Sequence, residues 1–268
     1  VITLTGLVGS DIGKNGVTAA INSANVSANS SNFVSSITSS AFTVGNYSLY
    51  NTTGSGAARN ATAGNTQNLV TLSKAPLGIN LNATYNGSNT YTSTIKTNGL
   101  VGNDSGLNVA SVTINNQNVA NNASNYITGV TGTASFNDTN LLNNYIISSS
   151  ATGTATTNNP GSNTTNTVTL TAAPLGIAVT GTYNGTTSYT NGTSDAVITL
   201  TGLVGGDVGK NGVTAAINSA NVSANSTNFV SSITSSAFTV GNYSLYNTTG
   251  SGAARNATAG NTQNLVTL

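Results

Sequence analysis

Residues 173–204 read APLGIAVTGTYNGTTSYTNGTSDAVITLTGLV, and this stretch decides the fold class. Within it, Val197-Ile198-Thr199-Leu200-Thr201 alternates apolar and polar side chains, which places Ile198 and Leu200 on one face of a strand. Asn184-Gly185 and Asn191-Gly192 interrupt the apolar runs, and such pairs tolerate the positive φ of tight turns. The stretch therefore predicts short strands with one buried face, joined by turns.

The chain beyond this stretch continues the pattern, with β-branched and aromatic residues marking strands and Asn211-Gly212 marking a further turn. No long stretch carries apolar residues at helical spacing, and Ala19-Ala20-Ile21 and Ala57-Ala58-Arg59 are predicted to form turns. About seven strands per repeat favour closure into a β-sandwich. The strands predicted for the last repeat are Leu175–Tyr183, Thr186–Thr190, Ala196–Val204, Val213–Asn218, Asn228–Thr234, Ala237–Tyr246 and Asn264–Leu268.

The sequence repeats itself at two spacings. Residues 1–72 recur at 197–268, an offset of 196, with only Ser10, Ile12 and Ser31 replaced, by Gly206, Val208 and Thr227. A diverged copy lies at half that offset, 98 residues, where residues 75–79 and 173–177 both read APLGI. Between these anchors the register shifts by five, so that Gly99-Leu100-Val101-Gly102 matches Gly202-Leu203-Val204-Gly205. A loop of variable length absorbs the shift.

A repeat of about 98 residues is the size of a small domain and can enclose its own core. The predicted fold is all-β: tandem Ig-like β-sandwich domains of about 98 residues arranged end to end. Residues 1–72 form a truncated unit that lacks its first strands, 73–170 a complete diverged unit, and 171–268 a complete unit nearly identical to the first. We expect the chain to be part of a longer array. These units are called the first, middle and last repeat below.

The composition excludes most catalytic chemistry. The 268 residues include no Cys, His, Met, Trp or Glu, and charged residues make up 4%. Without imidazole, thiolate or paired carboxylates, acid–base catalysis and transition-metal binding lack their usual groups. We therefore expect no enzyme and assign no catalytic, cofactor-binding or metal-binding residue. A net charge of +1, without a basic cluster or a long apolar run, also predicts no nucleic-acid partner and no membrane span in this fragment.

Several weaker site hypotheses have simpler explanations. Residues 205–210 (GGDVGK) resemble a phosphate-binding loop, but Asn211 replaces the required Ser or Thr, which favours a hairpin loop. Asp11 and Asp207 are possible calcium ligands, yet the sequence lacks the several carboxylates that calcium prefers. Lys74 and Lys96 suggest Lys-Asn crosslinks, but Ala172 and Ser194 occupy the equivalent positions.

Tyrosine and asparagine remain as candidate surface or packing groups. Tyrosines that recur by position (Tyr47, Tyr85, Tyr145, Tyr183 and Tyr243) are predicted to be packing anchors. Tyr50, Tyr91, Tyr126, Tyr189 and Tyr246 are weaker anchors that leave ligand contact open. Surface glycan remains an open hypothesis at Asn-x-Ser/Thr triplets, which include Asn25, Asn29, Asn51, Asn60, Asn86, Asn122, Asn184 and Asn191.

The Tyr85-Asn86-Gly87 and Tyr183-Asn184-Gly185 motifs, each followed by Gly-Leu-Val-Gly and later by Asn-Tyr, resemble YDG-type repeats of filamentous-haemagglutinin-like bacterial surface adhesins. The Asp of the family motif is Asn86 and Asn184 here. The resemblance implies secreted or cell-surface β-rich domains that serve adhesion or biofilm formation, and it carries over no catalytic residue.

These observations predict a non-catalytic extracellular stalk or fibre of a large bacterial adhesin. Its expected partners are neighbouring repeats of the same chain, other copies in a filament, and a host or matrix glycan or protein. The alternative is a self-assembling filament or matrix protein in which units exchange strands. The sequence identifies neither the receptor, the number of repeats, the organism nor the anchoring machinery.

Overall fold

The computed structural model of the chain describes residues 1–50, 68–105, 109–132, 144–147, 166–246 and 263–268. This part is all-β: strands joined by loops and by short 3-10 turns. The strands are β1 (Val17–Ile21), β2 (Val34–Ser39), β3 (Ala75–Thr84), β4 (Thr90–Tyr91), β5 (Ile95–Asn98), β6 (Val109–Ile114), β7 (Ile127–Gly132), β8 (Tyr145–Ile147), β9 (Thr167–Thr171), β10 (Ala173–Gly181), β11 (Ser188–Thr190), β12 (Ala196–Thr201), β13 (Val213–Ile217), β14 (Val230–Ser235), β15 (Tyr243–Leu245) and β16 (Asn264–Thr267).

The last repeat contains two sheets. In the four-stranded sheet, β10 pairs antiparallel with β12 along one edge. Along its other edge, β10 pairs in parallel with β15 through Ala173–Leu175 and with β16 through Ile177–Thr180. The second sheet is antiparallel, in the order β11-β13-β14. Strands β10 to β13 alternate between the two sheets, so each of their three connections crosses from one sheet to the other.

The middle repeat has the same arrangement. Strand β3 pairs antiparallel with β5 and in parallel with β8 and β9, while β4, β6 and β7 form the second sheet. The parallel register is conserved at the 98-residue offset, since Ala75 pairs with Tyr145 as Ala173 pairs with Tyr243. In the described part of the first repeat, β1 and β2 form a two-stranded sheet.

Each of the two longer repeats buries its apolar residues between its sheets. In the last repeat, Leu175 and Ile177 of β10 face Val213 and Ala215 of β13, and all four are at most 2% exposed. The middle repeat has a separate cluster that includes Leu77, Ile79, Val112 and Ile114. Ile198 is buried and Leu200 packs against the core, which confirms their predicted common face.

In the loops of all three repeats, asparagine side chains make hydrogen bonds to backbone amides and carbonyls, as another stretch of backbone would. Asn228 accepts a hydrogen bond from the Ser219 amide and donates to the Ser219 carbonyl, which closes the intervening loop. Asn225 makes the same two bonds with Leu268, at the end of the β16 segment. A carboxamide can do this because it carries both a donor and an acceptor. Equivalent bonds join Asn32 to Ser23, Asn125 to Asn116, Asn29 to Leu72, and Asn122 to Leu170.

All seven strands predicted in the last repeat occur, with shifted ends, but three local predictions are wrong. The segment predicted as a strand from Ala237 to Tyr246 forms a 3-10 turn over Val240–Asn242, and only Tyr243–Leu245 is a strand. Ala19-Ala20-Ile21 belongs to β1, because pairing with β2 outweighs local propensity. Gly185 and Gly192 have the positive φ predicted for them, whereas Gly212 does not. Residues 57–59 lie outside the described part.

Candidate functional site: the junction between repeats

Four short motifs recur along the chain and meet where one repeat follows another: three of them occur in all three repeats, and one occurs in the middle and last repeats. We call the first pair of motifs the leading face: the Tyr-Asn-Gly loop (85–87, 183–185) and the Asn-Val turn (25–26, 118–119, 221–222). We call the second pair the receiving face: the Val-Gly-x-Asp turn (8–11, 101–104, 204–207) and the Asn-Tyr pair (46–47, 144–145, 242–243).

The receiving face is held together by the Asp and Tyr side chains. In the last repeat Gly205–Asp207 forms a 3-10 turn, and Tyr243, at the start of β15, donates a 2.9 Å hydrogen bond to Asp207 Oδ2. The same hydroxyl accepts a bond from the Val204 amide at 3.2 Å. Lys210 Nζ lies 2.8 Å from Asp207 Oδ1. These contacts fix the turn against the strand.

The hydrogen bonds that join the turn, its Asp and the Tyr side chain, which we call the corner, also form in the other two repeats. Tyr47 donates to Asp11 at 2.9 Å, and Tyr145 donates to Asp104 at 2.7 Å. Both hydroxyls also accept a bond from the backbone amide three residues before the Asp, that of Val8 or Val101. Because all three copies of the motif adopt the same geometry, the local sequence itself determines the corner.

Tyr85 crosses from the middle repeat into the core of the last repeat. It follows β3 directly, is 4% exposed and belongs to the apolar cluster of the last repeat. Its hydroxyl donates to Asp207 Oδ2 at 3.1 Å, and its ring packs edge-on against Tyr243 with centroids 5.4 Å apart. Asp207 therefore accepts hydrogen bonds from tyrosines of two different repeats.

Two glycines allow the backbones of the two repeats to touch. A Cβ added to Gly87 would lie 2.7 Å from the Cα of Gly205, and one added to Gly205 would lie 2.7 Å from the Cα of Gly87. Both residues also have positive φ, +74° and +56°, which disfavours any side chain. Glycine is therefore required on both sides of this contact.

A reciprocal amide contact completes the junction. The Val119 amide donates to Asn242 Oδ1 at 2.9 Å, and Asn242 Nδ2 donates to Asn118 Oδ1 at 2.9 Å. The junction between the first and middle repeats has the same pair of bonds, from Val26 to Asn144 at 3.0 Å and from Asn144 to Asn25 at 2.9 Å. The contact is thus a repeated feature of the chain.

The electrostatics of the junction rest on one carboxylate. Burial opposes ionisation of Asp207, but hydrogen bonds from Lys210, Tyr243 and Tyr85 outweigh burial and hold the pKa of Asp207 below its ordinary value. Burial, reinforced by the Asp207 carboxylate, raises the pKa of Tyr85 and of Tyr243. Around neutral pH the carboxylate is ionised and both phenols carry their protons, which is the state that the observed hydrogen bonds need.

The residues that the sequence offered as calcium or phosphate ligands make contacts within the protein instead. Asp11 and Asp207 each pair with the lysine three residues later. In the described residues no three acidic, His or Cys side chains come close enough to hold a metal ion. The 205–210 segment is a turn between strands of different sheets and not the expected hairpin loop. A cleft of about 340 Å³ beside the junction is lined by Gln117, Asn118, Asp207 and Lys210, among others.

The recurring tyrosines fall into two groups. Tyr85, Tyr145 and Tyr243 are buried, as predicted for packing anchors, and Tyr47 is half-buried with its ring edge-on against Phe42. Tyr183 is 59% exposed, and that prediction is wrong. Tyr183 follows β10 as Tyr85 follows β3, yet no receiving face covers it in the described chain. Tyr91 and Tyr189, predicted as weaker anchors, are core residues.

The other candidate positions lie at or near the surface. Asn86 and Asn184 are exposed, and each accepts a bond from the backbone amide two residues later. Lys96 is exposed on β5 opposite Asn80, whose amide oxygen accepts a bond from Thr167. Asn51 and Asn60 lie outside the described residues. Sequence reasoning missed the cross-repeat roles of Tyr85, Gly87 and Asn242, although their motifs recur at the repeat spacing.

Comparisons with protein-family models, with curated proteins and with solved structures find no match to this chain. Among the residues that the structure describes, no helix has the length and apolar character needed to cross a bilayer. The fold and the site thus define an all-β repeat chain whose repeats contact each other through a recurring polar and aromatic junction.

Proposed function

We propose that the chain is a non-catalytic, extracellular repeat region of a large bacterial surface adhesin, built from tandem Ig-like β-sandwich units of about 98 residues that act end to end as a stalk or fibre. The proposal includes the resemblance to YDG-type repeats of haemagglutinin-like adhesins. The observation that carries it is the recurring junction, because identical reciprocal Asn-Val contacts occur at both of its positions in the chain.

A repeated contact of this kind is what a stiff spacer needs. Independent domains on flexible linkers would not bury a tyrosine of one repeat in the core of the next, as Tyr85 does. The polar composition also supports the proposal, since amides and hydroxyls solubilise a chain in which only 4% of the residues are charged. Such a surface gives little nonspecific electrostatic attraction.

A self-assembling matrix protein in which units exchange strands is the second candidate. Among the described residues β1 pairs only with β2, whereas the equivalent β13 pairs on both edges, with β11 and β14. A strand supplied by another part of the protein or by another copy would complete the sheet at β1.

Small-angle scattering of the 268-residue chain tests the stalk directly. Three compact units in series, each about 30 Å across, give a longest dimension of about 100 Å, whereas one globule of this length gives about 50 Å. Pulling single molecules adds a second readout, because each complete unit should unfold in a separate step that releases roughly 30 nm of chain. A compact particle that unfolds in one step would contradict the proposal.

Gly87→Ala is the matched variant for the scattering experiment, and Gly185→Ala is its control. The first substitution places a Cβ against the Gly205 backbone, whereas the second meets no backbone atom within 4 Å. The stalk predicts that only Gly87→Ala broadens the distribution of end-to-end distances.

A further inference from the structure

Asparagine is followed by glycine at six places in the sequence, and the six asparagine side chains are not equally free. In such a pair the backbone nitrogen of the glycine can attack the asparagine carboxamide, because glycine has no side chain to hinder the approach. The attack requires that both groups can turn towards each other. The pairs begin at Asn15, Asn86, Asn98, Asn184, Asn191 and Asn211.

Four of the six asparagines are held in place. The carboxamides of Asn86, Asn184 and Asn191 each donate one hydrogen bond and accept another. Turning any of them towards the following nitrogen would break these bonds. Asn98 is half-buried on β5, where it pairs with Gly78 of β3. The structure therefore protects these four pairs from attack.

Asn211 has none of these restraints. Asn211 and Gly212 are both exposed and lie in the connection that leads into β13. The Asn211 carboxamide makes no hydrogen bond to any residue that the structure describes, and the Gly212 amide donates none there. The Val213 amide donates to the Asn211 carbonyl at 2.9 Å, which makes a tight turn centred on Gly212. Both reacting groups are thus free and adjacent.

Asn15 is a second copy of the same arrangement. Residues 13–17 and 209–213 both read GKNGV. Asn15 and Gly16 are exposed, and the Asn15 side chain has no hydrogen-bond partner within the described ranges. The freedom of the carboxamide therefore recurs with the local sequence.

We propose that Asn211 and Asn15 are sites of self-modification, at which the neutral carboxamide becomes a carboxylate without an enzyme or a cofactor. At the first site the Gly212 nitrogen forms a bond to Asn211 Cγ, and the bond from Cγ to the side-chain nitrogen breaks. Ammonia leaves with the proton of the glycine amide, and a five-membered succinimide ring remains. Water then opens the ring at either of its two C–N bonds, which gives aspartate or isoaspartate. Water is the only co-reactant, and no electrons are transferred.

The modification places a new charge beside the junction. Lys210 precedes Asn211, and its ammonium group lies 2.8 Å from Asp207 Oδ1. A carboxylate at position 211 therefore competes with Asp207 for Lys210. Isoaspartate also lengthens the backbone by one methylene, where Asn191 donates to the Asn211 carbonyl at 3.0 Å. Each event lowers the formal net charge by one, so two events change it from +1 to −1. This inference goes beyond the proposed function and does not depend on the adhesive role.

Timed incubation of the full 268-residue chain tests the inference. The folded chain is kept at neutral and mildly basic pH, digested briefly at acidic pH, and analysed by mass spectrometry. We expect acid to appear first at Asn211 and Asn15. Asn86, Asn184 and Asn191 should convert at least about tenfold more slowly, a factor that corresponds to about 1.4 kcal/mol, the scale of one hydrogen bond. In guanidinium chloride, where no carboxamide is held, the five sites should convert at similar rates.

Gly212→Ala is the matched variant. A Cβ at this position would lie 3.5 Å from the Cβ of Ala237, an ordinary contact, and Gly212 does not have positive φ, so the fold should be kept. The added methyl group hinders the attacking nitrogen. Conversion at Asn211 should therefore slow severalfold, while Asn15 in the same molecule converts at the parent rate and serves as the internal control. Circular dichroism checks that the variant is folded.

The inference would be overturned by either of two results. In the first, the folded chain gains acid no faster at Asn211 and Asn15 than at Asn86, Asn184 and Asn191, or gains none at all. In the second, folded Gly212→Ala converts at Asn211 as fast as the parent chain does.

Discussion

The first and last repeats are nearly the same sequence in different surroundings. Residues 1–50 and 197–246 differ only at Ser10, Ile12 and Ser31, and both form the Asp-Tyr-Lys corner with nearly equal distances. Asn242 is nevertheless 1% exposed, while Asn46 is exposed. The Asp side chain is 10% exposed in the last repeat and 19% exposed in the first. Local sequence thus determines the turn, and the preceding repeat determines whether the turn is covered.

A second difference between these copies has another cause. Val213 and Val230 are buried, whereas Val17 and Val34 are only half-buried. Strands β10 and β11 complete the two sheets around β13 and β14, whereas among the described residues β1 and β2 pair only with each other. A core position therefore depends on the strands of its own repeat, and a junction position depends on the neighbouring repeat.

The largest effect on stability should come from removing the Tyr85 side chain, which joins the middle repeat to the core of the last repeat. Tyr85→Ala leaves a cavity in the core of the last repeat and removes one hydrogen bond to Asp207, so we expect a loss of about 3 kcal/mol in the free energy of unfolding of that repeat. Tyr183→Ala, in the same motif but uncovered, should change it by less than about 0.5 kcal/mol. Urea unfolding followed by circular dichroism measures both. Equal losses would show that Tyr85 acts only within its own repeat.

The next effect concerns the close approach of the backbones. Gly87→Ala and Gly185→Ala carry the same conformational strain, since both residues have φ near +75°. Only Gly87→Ala also clashes with Gly205, and we expect an additional loss of about 2 kcal/mol, within the range for overpacking. The difference in unfolding midpoint between the two variants isolates the contact. Identical unfolding midpoints would mean that the junction accommodates the added methyl group without a loss of stability.

A smaller effect is expected for the amide contact. Asn242→Ala removes the acceptor of the Val119 amide and the donor to Asn118, which should cost about 1–2 kcal/mol. Asn46→Ala, the same change at the uncovered copy, should be nearly neutral. Thermal unfolding of both variants makes the comparison, and a destabilised Asn46→Ala would assign the asparagine a role inside its own repeat.

The smallest effect should be the change in stability with pH. Because the pKa of Asp207 is lower in the folded than in the unfolded chain, its contribution to stability is complete above the unfolded pKa of about 4 and declines as the pH falls through the folded value. Thermal midpoints between neutral pH and about pH 2 should therefore fall less steeply in Asp207→Asn than in the parent. The parent and the variant would show parallel curves if the hydrogen bonds from Lys210, Tyr243 and Tyr85 did not hold Asp207 ionised.

Much of the fold was predictable because alternation and turn motifs are local signals. The alternation at Val197–Thr201 located β12 and its buried face, and repeat spacing extended the prediction to the middle repeat. The prediction of a strand over Ala237–Tyr246 failed because Val240-Gly241-Asn242 forms a turn before the strand begins. The same turn forms at Val44–Asn46, where Asn46 is exposed, so the local sequence and not the junction determines it.

The junction itself was not predictable from one repeat. The Tyr-Asn-Gly and Val-Gly-x-Asp motifs were visible, but 122 residues separate Tyr85 from Asp207, and nothing in the sequence pairs them. Tyr183 was predicted to be packed because it matches Tyr85, although the two tyrosines differ in whether a following repeat covers them. Burial at such positions depends on the neighbouring unit, which local periodicity cannot indicate.

Hydrogen exchange at two backbone amides tests most directly whether docking on the next repeat covers the leading face. Val26 and Val222 lie in the same local sequence, Ala-Asn-Val-Ser, so their intrinsic exchange rates are equal. The Val26 amide donates to Asn144 of the middle repeat, whereas the Val222 amide has no acceptor among the described residues. At monomer concentrations, NMR should show slow exchange at Val26 and at Val119, and fast exchange at Val222. Equal exchange at Val26 and Val222 would contradict the account.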